Sequence, residues 1–478
     1  MLTLLHTSDW HLGRRLYGKP RYEEFSQFLE WQLTVVREHA VDVLVIAGDI
    51  FDTSTPSNQA QSLYYHFLHE ISQTTCQHVV IVAGNHDSPN FLDAPKQLLK
   101  GFNIHIIGSI GDNVADELIV LNDANGAPSM LVAAVPYLRD RDVRSVSSGE
   151  HIDDKENKLI SGIQAHYANI TTLAKAKQAE LEQTWHKKIP LIATGHLFAA
   201  GGQTVEGDGV RELYVGSLAQ VRGQMFDTGF DYVALGHLHV PQAVGGYAHI
   251  RYSGSPIAMG FGEATQQKQV HLVRFFADEQ LLTQPIYDLV RQRSDATIGR
   301  TTNSKPPKKT TDTVVSLDLF TEMPETIPPM ADHPDISSTP YTIAKLSDTT
   351  LLQSLAVPTF QPLESIKGDW PTIKTRLQAL KQTGQSVWLE IVYDGVTIIG
   401  DLAAQIAEIT NDSPLTVLRI KNQQLRNQTL QAQHSSETLD ELDELQVFER
   451  CMTTNQIPDA QQATLKRRYL EVLEVLHP

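Results

Sequence analysis

Cysteines and long apolar runs are both scarce in this chain, and each shortage limits what the protein can be. Cys76 and Cys451 are the only cysteines in 478 residues. We therefore expect no disulfide framework, and we expect the protein to reside in a reducing compartment. No apolar run approaches the ~20 residues of a membrane span. The opening "MLTLLHTSDW" has no basic segment of the kind that begins a signal peptide. We therefore expect a cytoplasmic protein with no membrane partner.

Positive charge is scarce as well. The chain has 39 Lys and Arg against 56 Asp and Glu, a formal net charge of -17. This balance argues against a general nucleic-acid coat protein, because affinity for phosphates comes from Lys and Arg. A nuclease is not excluded, since metal sites consume carboxylates and a local basic groove or a basic partner can carry DNA. The sequence also lacks a "GxxxxGK[ST]" stretch, which predicts that the chain itself binds no ATP.

The length predicts two or three domains. Residues 1–280 alternate short apolar runs with amphipathic stretches, which indicates a large α/β domain. A smaller α/β domain is expected over 281–422, with helices at "PTIKTRLQALKQ" and "IGDLAAQIAEIT" and strands at "SVWLEIVYD" and "PLTVLRIK". This domain contains an insertion, at about 294–350, that is rich in Ser, Thr and Pro. This composition predicts disorder, because it buries too little apolar surface to offset chain entropy.

The last segment, 423–478, is polar with helical periodicity. Its final part places an apolar stripe on one helix face, formed by Leu465, Tyr469, Val472, Leu473 and Leu476. Two interpretations stay open: the stripe packs on the protein's own domain, or it docks another protein.

Metal-type side chains follow five of the apolar runs in the first domain. The runs are "LTLLHTSDWH", "VDVLVIAGDIFD", "HVVIVAGNHD", "PLIATGH" and "DYVALGHLH". They place the following residues at strand ends: Asp9, His11, Asp49, Asp52, Asn85, His86, His196, His237 and His239. A single such turn is common, but five in succession indicate one site, because sites in α/β sheets form beyond the carboxyl ends of the strands.

The donors in this set are imidazole nitrogens and carboxylate or amide oxygens. Such a set excludes a soft thiolate site and favours manganese, magnesium, iron or zinc. It offers more donors than one ion takes and suits two ions with a bridging carboxylate. Two ions ~3.5–4 Å apart can hold a phosphate ester and stabilise the charge that builds on phosphorus.

The motifs "DWH", "GDIFD", "GNHD", "TGH" and "GHLH" resemble those of the calcineurin-like metallophosphoesterases. Within that superfamily, the flanking "LHTSDWHLG", "VAGDIFDT", "VGSL" and "YSGSPI" are similar to the SbcD family of nuclease subunits, and the likeness continues through "FQPLESIKGDW" and "VFERCM". The resemblance implies a four-layer α/β/β/α sandwich followed by a small α/β capping domain and C-terminal helices.

The resemblance also implies roles for the site residues. The first metal would be bound by Asp9, His11, Asp49 and His239, and the second by Asp49 as the bridge, Asn85, His196 and His237. His86 would bind no metal but face the phosphate and protonate the leaving oxygen. Asp52 would orient His86, as carboxylates commonly orient working imidazoles. Asp87 has no metal in this scheme, and we expect it to support the turn by hydrogen bonds.

The implied activity is manganese-dependent hydrolysis of DNA, with magnesium as the alternative ion. It comprises 3′ to 5′ exonuclease action on double-stranded DNA and endonuclease action on hairpin or single-stranded DNA, in repair, replication and recombination. The implied partner is an SbcC-type coiled-coil ATPase, docked by residues 423–478, within a complex that contains a homodimer of this chain. The alternatives are a phosphatase or small phosphodiesterase, which the same metals serve, and a non-catalytic binding scaffold.

A basic stretch, "HLGRRLYGKPR", follows the first pair of site residues. Its cations are Arg14, Arg15, Lys19 and Arg21. Either this is a solvated loop, or its cations contact DNA phosphates beside the metals.

Overall fold

A computed structural model describes residues 1–143, 152–200, 221–226, 229–277, 339–397 and 399–422, together with six single residues nearer the C-terminus. It divides the chain into two compact units, Met1–Glu364 and Ser365–Pro478. Among the described residues, no helix is both long and apolar enough to cross a membrane. The predicted disorder over 294–338 lies outside the described residues. So do the predicted C-terminal helices, apart from those single residues.

The strands, in chain order, are β1 (Leu2–Thr7), β2 (Arg15–Leu16), β3 (Lys19–Pro20), β4 (Val43–Ala47), β5 (His78–Val82), β6 (Ile104–Ile107), β7 (Leu118–Asn122), β8 (Pro128–Ala133), β9 (Leu191–His196), β10 (Ala199–Ala200), β11 (Val221–Arg222), β12 (Tyr232–Gly236), β13 (Gln242–Val244), β14 (Tyr247–Tyr252), β15 (Gln269–Phe275), β16 (Tyr341–Lys345), β17 (Thr350–Ala356), β18 (Leu363–Gly368), β19 (Val387–Tyr393) and β20 (Leu415–Asn422). The α-helices are α1 (Tyr22–Glu38), α2 (Asn58–Ser72), α3 (Pro89–Asp93), α4 (Lys96–Lys100), α5 (Asp140–Val143), α6 (Ile152–Trp185), α7 (Trp370–Thr383) and α8 (Leu402–Thr410).

Two large sheets form the first unit. In the part of the chain that the structure describes, one sheet has the order β16-β17-β15-β1-β4-β5-β6 and the other β13-β14-β12-β9-β8-β7. Strands β1, β4, β5 and β6 run parallel in the first sheet. In the second sheet β8, β9, β12 and β14 also run parallel. These parallel segments determine where the strand ends gather.

The central strands of each sheet are buried on both faces, as their apolar sequences require. Successive residues of a strand point to opposite faces. In β4, Leu44 and Ile46 join the core that contains α1 and α2, whereas Val43 and Val45 face the second sheet. In β9, Leu191 and Ala193 pack with α6 and Ile192 faces the first sheet. The order of layers is therefore helix, sheet, sheet, helix, which confirms the predicted four-layer sandwich.

The second unit is a small α/β module. Strands β18, β19 and β20 form its sheet, with β19 and β20 parallel. Helices α7 and α8 supply Ile373, Leu377 and Ile406 to a core that also contains Leu389 and Ile391 of β19. The helices and strands predicted around residues 371–421 are confirmed.

The end of the predicted disordered insertion is ordered. Residues 341–345 form β16, which pairs antiparallel with β17, and β17 pairs with β15. Both strands belong to the seven-stranded sheet of the first unit, although the sequence pattern assigned residues after 280 to a capping domain. The physical reason is that β17 is buried along its whole length. The free edge of β17 pairs with β16. The sequence of β16 contains a threonine and resembles the polar insertion before it, so the pattern did not predict a strand there.

Candidate metal centre

The predicted site residues converge at one edge of the sandwich. Strands β1, β4 and β5 are parallel, as are β9 and β12, so their carboxyl ends lie at the same edge of each sheet. Hydrogen bonds join the sheets there: His196 Nδ1 lies 2.9 Å from the carbonyl oxygen of Ala47, and the backbone N–H of His237 donates to Asp9 Oδ1 at 2.9 Å. The cluster contains Asp9, His11, Asp49, Asp52, Asn85, His86, His196, His237 and His239.

Several of these residues have a left-handed backbone. The φ angle is 53° at Asp9, 48° at His11, 52° at Asp49 and 102° at His237. Non-glycine residues in this region cost on the order of 1–3 kcal/mol each and persist only where surrounding structure holds them. Here the N–H groups of Asp9 and His11 donate to the carbonyl oxygens of Gly48 and Asp49, both at 3.0 Å. The strained turns aim these side chains at a common point.

Two glycines allow the turns to approach each other closely. A Cβ at Gly84 would lie 2.1 Å from Asp49 Oδ1, and one at Gly48 would lie 2.2 Å from His196 Nδ1. Gly48 also has a φ of 91°. Any other residue at these positions would displace the site's donors, so the glycines that precede Asp49 and Asn85 are required by packing as well as by turning.

A first group of donors consists of Asp9, His11 and His239, whose ligand atoms lie within 4.8 Å of one another. The Nε2 atoms of His11 and His239 are 3.1 Å apart, and His11 Nε2 is 3.6 Å from Asp49 Oδ2. All of these side chains are buried.

A second group surrounds the amide oxygen of Asn85. Asn85 Oδ1 lies 3.0 Å from His196 Nε2 and 3.0 Å from His237 Nδ1. His196 Nε2 is also 3.3 Å from Asp49 Oδ2. One carboxylate oxygen of Asp49 is therefore close to a histidine of each group.

These distances fit cation binding. Donors at neighbouring corners of an octahedral site with bonds of ~2.1 Å lie ~3.0 Å apart, and the donor pairs here are 3.0–3.6 Å apart. The facing Nε2 atoms of His11 and His239 can share only one proton, whereas a cation satisfies both lone pairs. The nitrogen and oxygen donors suit divalent manganese, magnesium, iron or zinc. The site therefore fits two divalent cations that share Asp49.

The protonation states of the cluster follow from burial and mutual charge. Burial would raise the pKa of Asp49, but the charge and hydrogen bond of His196, with the charges of His11 and His86, hold this pKa well below its usual range. In return, Asp49 raises the pKa of His196 to about 9 despite burial. Burial lowers the pKa of His11 to about 4 and that of His237 to about 3. Ionised Asp49 and neutral His11 and His237 are already in the state that cations bind, whereas His196 must first lose its proton.

His86 is oriented by backbone groups. Its Nδ1 lies 2.8 Å from the carbonyl oxygen of Asp52, and its backbone N–H donates to Asp49 Oδ1 at 2.9 Å. A carbonyl only accepts hydrogen bonds, so Nδ1 carries the proton and Nε2 is left for a substrate. From the sequence, the Asp52 carboxylate was expected to orient His86. That expectation was wrong about the atom, because the turn after β4 brings the main chain of Asp52 to the ring.

The Asp52 carboxylate is engaged elsewhere. Arg14 Nη1 donates to Asp52 Oδ1 at 3.1 Å, and His11 Nδ1 lies 3.5 Å from the same oxygen. Burial opposes ionisation, but the hydrogen bond and charge of His11, together with Arg14, lower the pKa of Asp52 to about 2. Asp52 is therefore an anion that links Arg14 to His11.

Asp87 supports the turn, as expected from the sequence. Its carboxylate accepts hydrogen bonds from the backbone N–H groups of Gly84, Phe51 and Ile50 at 2.8, 3.0 and 3.2 Å. These bonds tie the turn after β5 to the turn after β4.

The basic stretch divides into structural and exposed residues. Arg21 is 2% exposed and donates to both carboxylate oxygens of Glu24 and to the carbonyl oxygen of Ala258. The hypothesis that Arg21 contacts DNA is therefore wrong, because its guanidinium is inside the protein. Arg15 and Lys19 lie on the β2–β3 hairpin, where Arg15 is exposed and Lys19 half-buried.

The residues that form hydrogen bonds with the ligand residues and hold them in place were not predicted from the sequence. Ser8 Oγ donates to Asp9 Oδ2 at 2.5 Å. Glu263 Oε1 lies 3.2 Å from His239 Nδ1, and Lys268 forms an ion pair with Glu263. Glu263 and Lys268 follow no strand end, so the pattern used to find the ligands could not reveal them. The resemblance of "YSGSPI" was the only signal near them.

Comparison with known proteins gives two family matches and several full or partial relatives. A family model for calcineurin-like phosphoesterases matches residues 2–241, and one for the type 5 capsule protein repressor C-terminal domain matches residues 359–456. The chain is 30% identical to SbcD, the corresponding chain of the nuclease SbcCD, from Escherichia coli K12. That match runs over 481 residues, which is 99% of this chain and 98% of that protein.

Two further relatives with the same name match a shorter part of the chain. SbcD of the nuclease SbcCD from Bacillus subtilis 168 is 33% identical over 57% of this chain and 66% of its own length. The protein of the same name from Rhodobacter capsulatus is 33% identical over 55% of this chain and 64% of its own.

Proposed function

Because the chain belongs to the SbcD family of calcineurin-like phosphoesterases, we propose that it is the nuclease subunit of an SbcCD-like complex and hydrolyses DNA phosphodiesters. The observation that carries the proposal is the shared Asp49 carboxylate: Oδ2 lies 3.6 Å from His11 Nε2 and 3.3 Å from His196 Nε2, at the junction of two donor groups. A carboxylate close to both groups can hold two cations near each other, and two neighbouring cations are what two-metal hydrolysis of phosphate esters uses.

The residues that would hold the cations follow from the donor groups. Asp9, His11, Asp49 and His239 would hold the first, and Asp49, Asn85, His196 and His237 the second. We propose Mn²⁺ as the ion, with Mg²⁺ as the alternative. Cations held in this way polarise a phosphate and lower the pKa of a water molecule. The chain's own task is to keep the donors in place, which the buried turns and the bonds of Ser8 and Asp87 do.

His86 would assist the departing oxygen. Its Nδ1 proton is held by the Asp52 carbonyl oxygen, so Nε2 is the atom that faces a substrate. When protonated, Nε2 can donate to a phosphoryl oxygen and then to the leaving oxygen, a contribution of ~10²–10⁴-fold for a positioned acid. The edge-to-face contact with His11, 4.8 Å between ring centroids, keeps the ring beside the donor groups.

DNA would reach the site along the β2–β3 hairpin. Arg15 and Lys19 follow His11, the last ligand in the turn after β1, within the same short stretch of chain. In a chain of net charge -17, such a local basic feature supplies the phosphate contacts that position a duplex. Arg14 would complement them from beside Asp52.

The finer activities extend the proposal. We propose 3′ to 5′ exonuclease action on double-stranded DNA and endonuclease action on hairpin and single-stranded DNA, serving repair, replication and recombination. ATP would enter through an SbcC-type coiled-coil ATPase, since the sequence has no "GxxxxGK[ST]" stretch. Residues 423–478 would dock this partner, in a complex that contains two copies of the chain.

The proposal is tested by comparing the wild type with His86→Ala on hairpin and duplex DNA in Mn²⁺, with and without the ATPase partner. A small phosphate monoester is assayed in parallel. We expect the wild type to cleave DNA and His86→Ala to lose ~10²–10⁴-fold in kcat. Turnover of the monoester with no cleavage of DNA would assign the chain to the phosphatases instead. Activity on neither substrate would favour a binding scaffold.

A further inference from the structure

A buried ion pair lies directly behind one of the proposed metal ligands. Glu263 is 0% exposed and Lys268 is 5% exposed, and their side chains form a close ion pair. Glu263 Oε1 lies 3.2 Å from Nδ1 of His239, on the side of the ring opposite the metal donors. Neither residue belongs to the five strand-end motifs.

The carboxylate of Glu263 is fixed by its other oxygen. Oε2 accepts hydrogen bonds from the backbone N–H of Met259 at 3.0 Å, from Ser255 Oγ at 3.3 Å, and from Lys268 Nζ. With three donors on Oε2, the carboxylate cannot rotate freely, and Oε1 is directed at His239. The acceptor that faces the imidazole is therefore preorganised.

The side chain of Lys268 fixes the main chain of the same histidine. Its Nζ donates to the carbonyl oxygen of His239 at 3.1 Å and to Ser255 Oγ at 3.1 Å. The ring and the backbone of His239 are thus fixed by two side chains that are bonded to each other. The lysine also balances the charge of Glu263, which a fully buried carboxylate needs.

The hydrogen bond to Glu263 determines which nitrogen of His239 can bind a cation. An ionised carboxylate only accepts, so Nδ1 carries the proton and the lone pair of Nε2 points towards His11 Nε2, 3.1 Å away. In the second donor group, His196 Nδ1 instead faces the neutral carbonyl oxygen of Ala47 at 2.9 Å. A hydrogen bond to an ionised acceptor is stronger than one to a neutral acceptor, so Glu263 fixes the ring of His239 more firmly than the carbonyl oxygen of Ala47 fixes that of His196.

We infer that Glu263 and Lys268 are positioning residues that fix the ring of His239 for the first cation and make this the tighter of the two cation positions. The inference rests on the proposed function, since it concerns one of the two metal positions assigned there. It adds a determinant outside the ligand set and an order of affinity between the positions.

The test is calorimetric titration of Mn²⁺ into the metal-stripped full-length protein, with electron paramagnetic resonance of the loaded samples. For the wild type we expect two binding events and the spectrum of a coupled manganese pair. Glu263→Gln should weaken the tighter event by ~10–100-fold, the range for a lost ligand-supporting contact, and leave the weaker event unchanged. At one equivalent of Mn²⁺, the variant should lose the site preference that the wild type shows.

A second variant controls for misfolding of Glu263→Gln. Glu263→Gln leaves Lys268 as a buried charge, so Glu263→Gln with Lys268→Met removes both charges and should give the same selective loss. The matched control is Glu117→Gln. Glu117 is another buried glutamate in contact with a histidine, with Oε2 at 2.8 Å from His166 Nε2, but it touches no site residue that we assign. It should leave both events at wild-type affinity.

Three outcomes separate the possibilities. Wild-type affinities in both Glu263 variants would overturn the inference and leave the proposed function standing. Equal weakening of both binding events, with the same weakening in Glu117→Gln, would show that Glu263 and Lys268 have only a general structural role. That result would also overturn the inference. A wild type that binds no Mn²⁺ at all would overturn the proposed function itself.

Discussion

Among the single residues of the site, His86 depends for its orientation on main-chain atoms. The acceptor for its Nδ1 proton is the carbonyl oxygen of Asp52, and a substitution of the Asp52 side chain leaves that oxygen in place. The carboxylate itself faces Arg14 and His11. Catalysis should therefore be far more sensitive to the ring of His86 than to the charge of Asp52.

We predict that Asp52→Asn lowers kcat on duplex DNA by less than ~10-fold, whereas His86→Ala lowers it by ~10²–10⁴-fold. The amide keeps an oxygen that can accept from Arg14, and the backbone contact to His86 is unchanged. Steady-state kinetics in saturating Mn²⁺ measures both. Losses of equal size would show that the carboxylate of Asp52 orients the imidazole after all.

His196 gives the metal-free protein a pH dependence. Its pKa is raised to about 9 against burial, first by the charge of Asp49 and then by the hydrogen bond between them. A raised pKa stabilises the folded state fully below the unfolded value of ~6.5, and this contribution is lost as pH rises towards 9. The loss is on the order of 3 kcal/mol for such a shift.

In a chelator, the free energy of unfolding of the wild type should therefore fall between pH 6.5 and 9, the folded value. His196→Gln should flatten this part of the curve, because glutamine does not titrate. Chemical denaturation across the pH range measures both proteins. The same alkaline slope in the variant would remove His196 as the cause.

Among the secondary structure elements, the β2–β3 hairpin carries the basic side chains that follow the first ligand turn. Arg15 is exposed and donates its Nε–H to the carbonyl oxygen of Gly18, which holds the hairpin turn. Lys19 pairs with Leu16 across the ladder. The hairpin follows His11 directly, so its cations lie beside the proposed path of the DNA.

We predict that Arg15→Glu with Lys19→Glu weakens duplex binding and leaves Mn²⁺ affinity unchanged, because neither side chain belongs to the donor groups. Fluorescence anisotropy at fixed salt measures the duplex, since phosphate contacts depend on ionic strength. The matched control is Lys187→Glu with Lys188→Glu, which makes the same charge change before β9, at the end remote from His196. Equal duplex affinity in the hairpin variant and the wild type would exclude this contact.

Across the molecule, the ligands at the strand ends could be predicted from the sequence, but most of the residues that support these ligands could not. Asp9, Asp49, Asn85, His196 and His237 each follow an apolar run, so a local pattern was enough to bring them together. Glu263 and Lys268 support His239 through contacts that arise only when the sheets are assembled. The strands at residues 341–356 were also missed, because their order comes from pairing with β15.

Partner binding also concerns the molecule as a whole. Deleting residues 423–478 should abolish co-purification with the SbcC-type ATPase and spare hydrolysis of a simple phosphodiester, because every donor of the metal centre lies within Met1–Glu364. Affinity pull-down and a chromogenic phosphodiester assay measure the two properties. Retained co-purification would place the docking surface elsewhere.

The proposed chemistry depends on two cations that share Asp49 at the ends of five strands. Crystals grown in Mn²⁺, with diffraction data collected at the manganese edge, would locate these cations. We expect two anomalous peaks ~3.5–4 Å apart, one beside His11 and His239 and the other beside Asn85, His196 and His237, with the carboxylate of Asp49 between them. A single peak, or peaks that do not flank Asp49, would rule out the shared carboxylate.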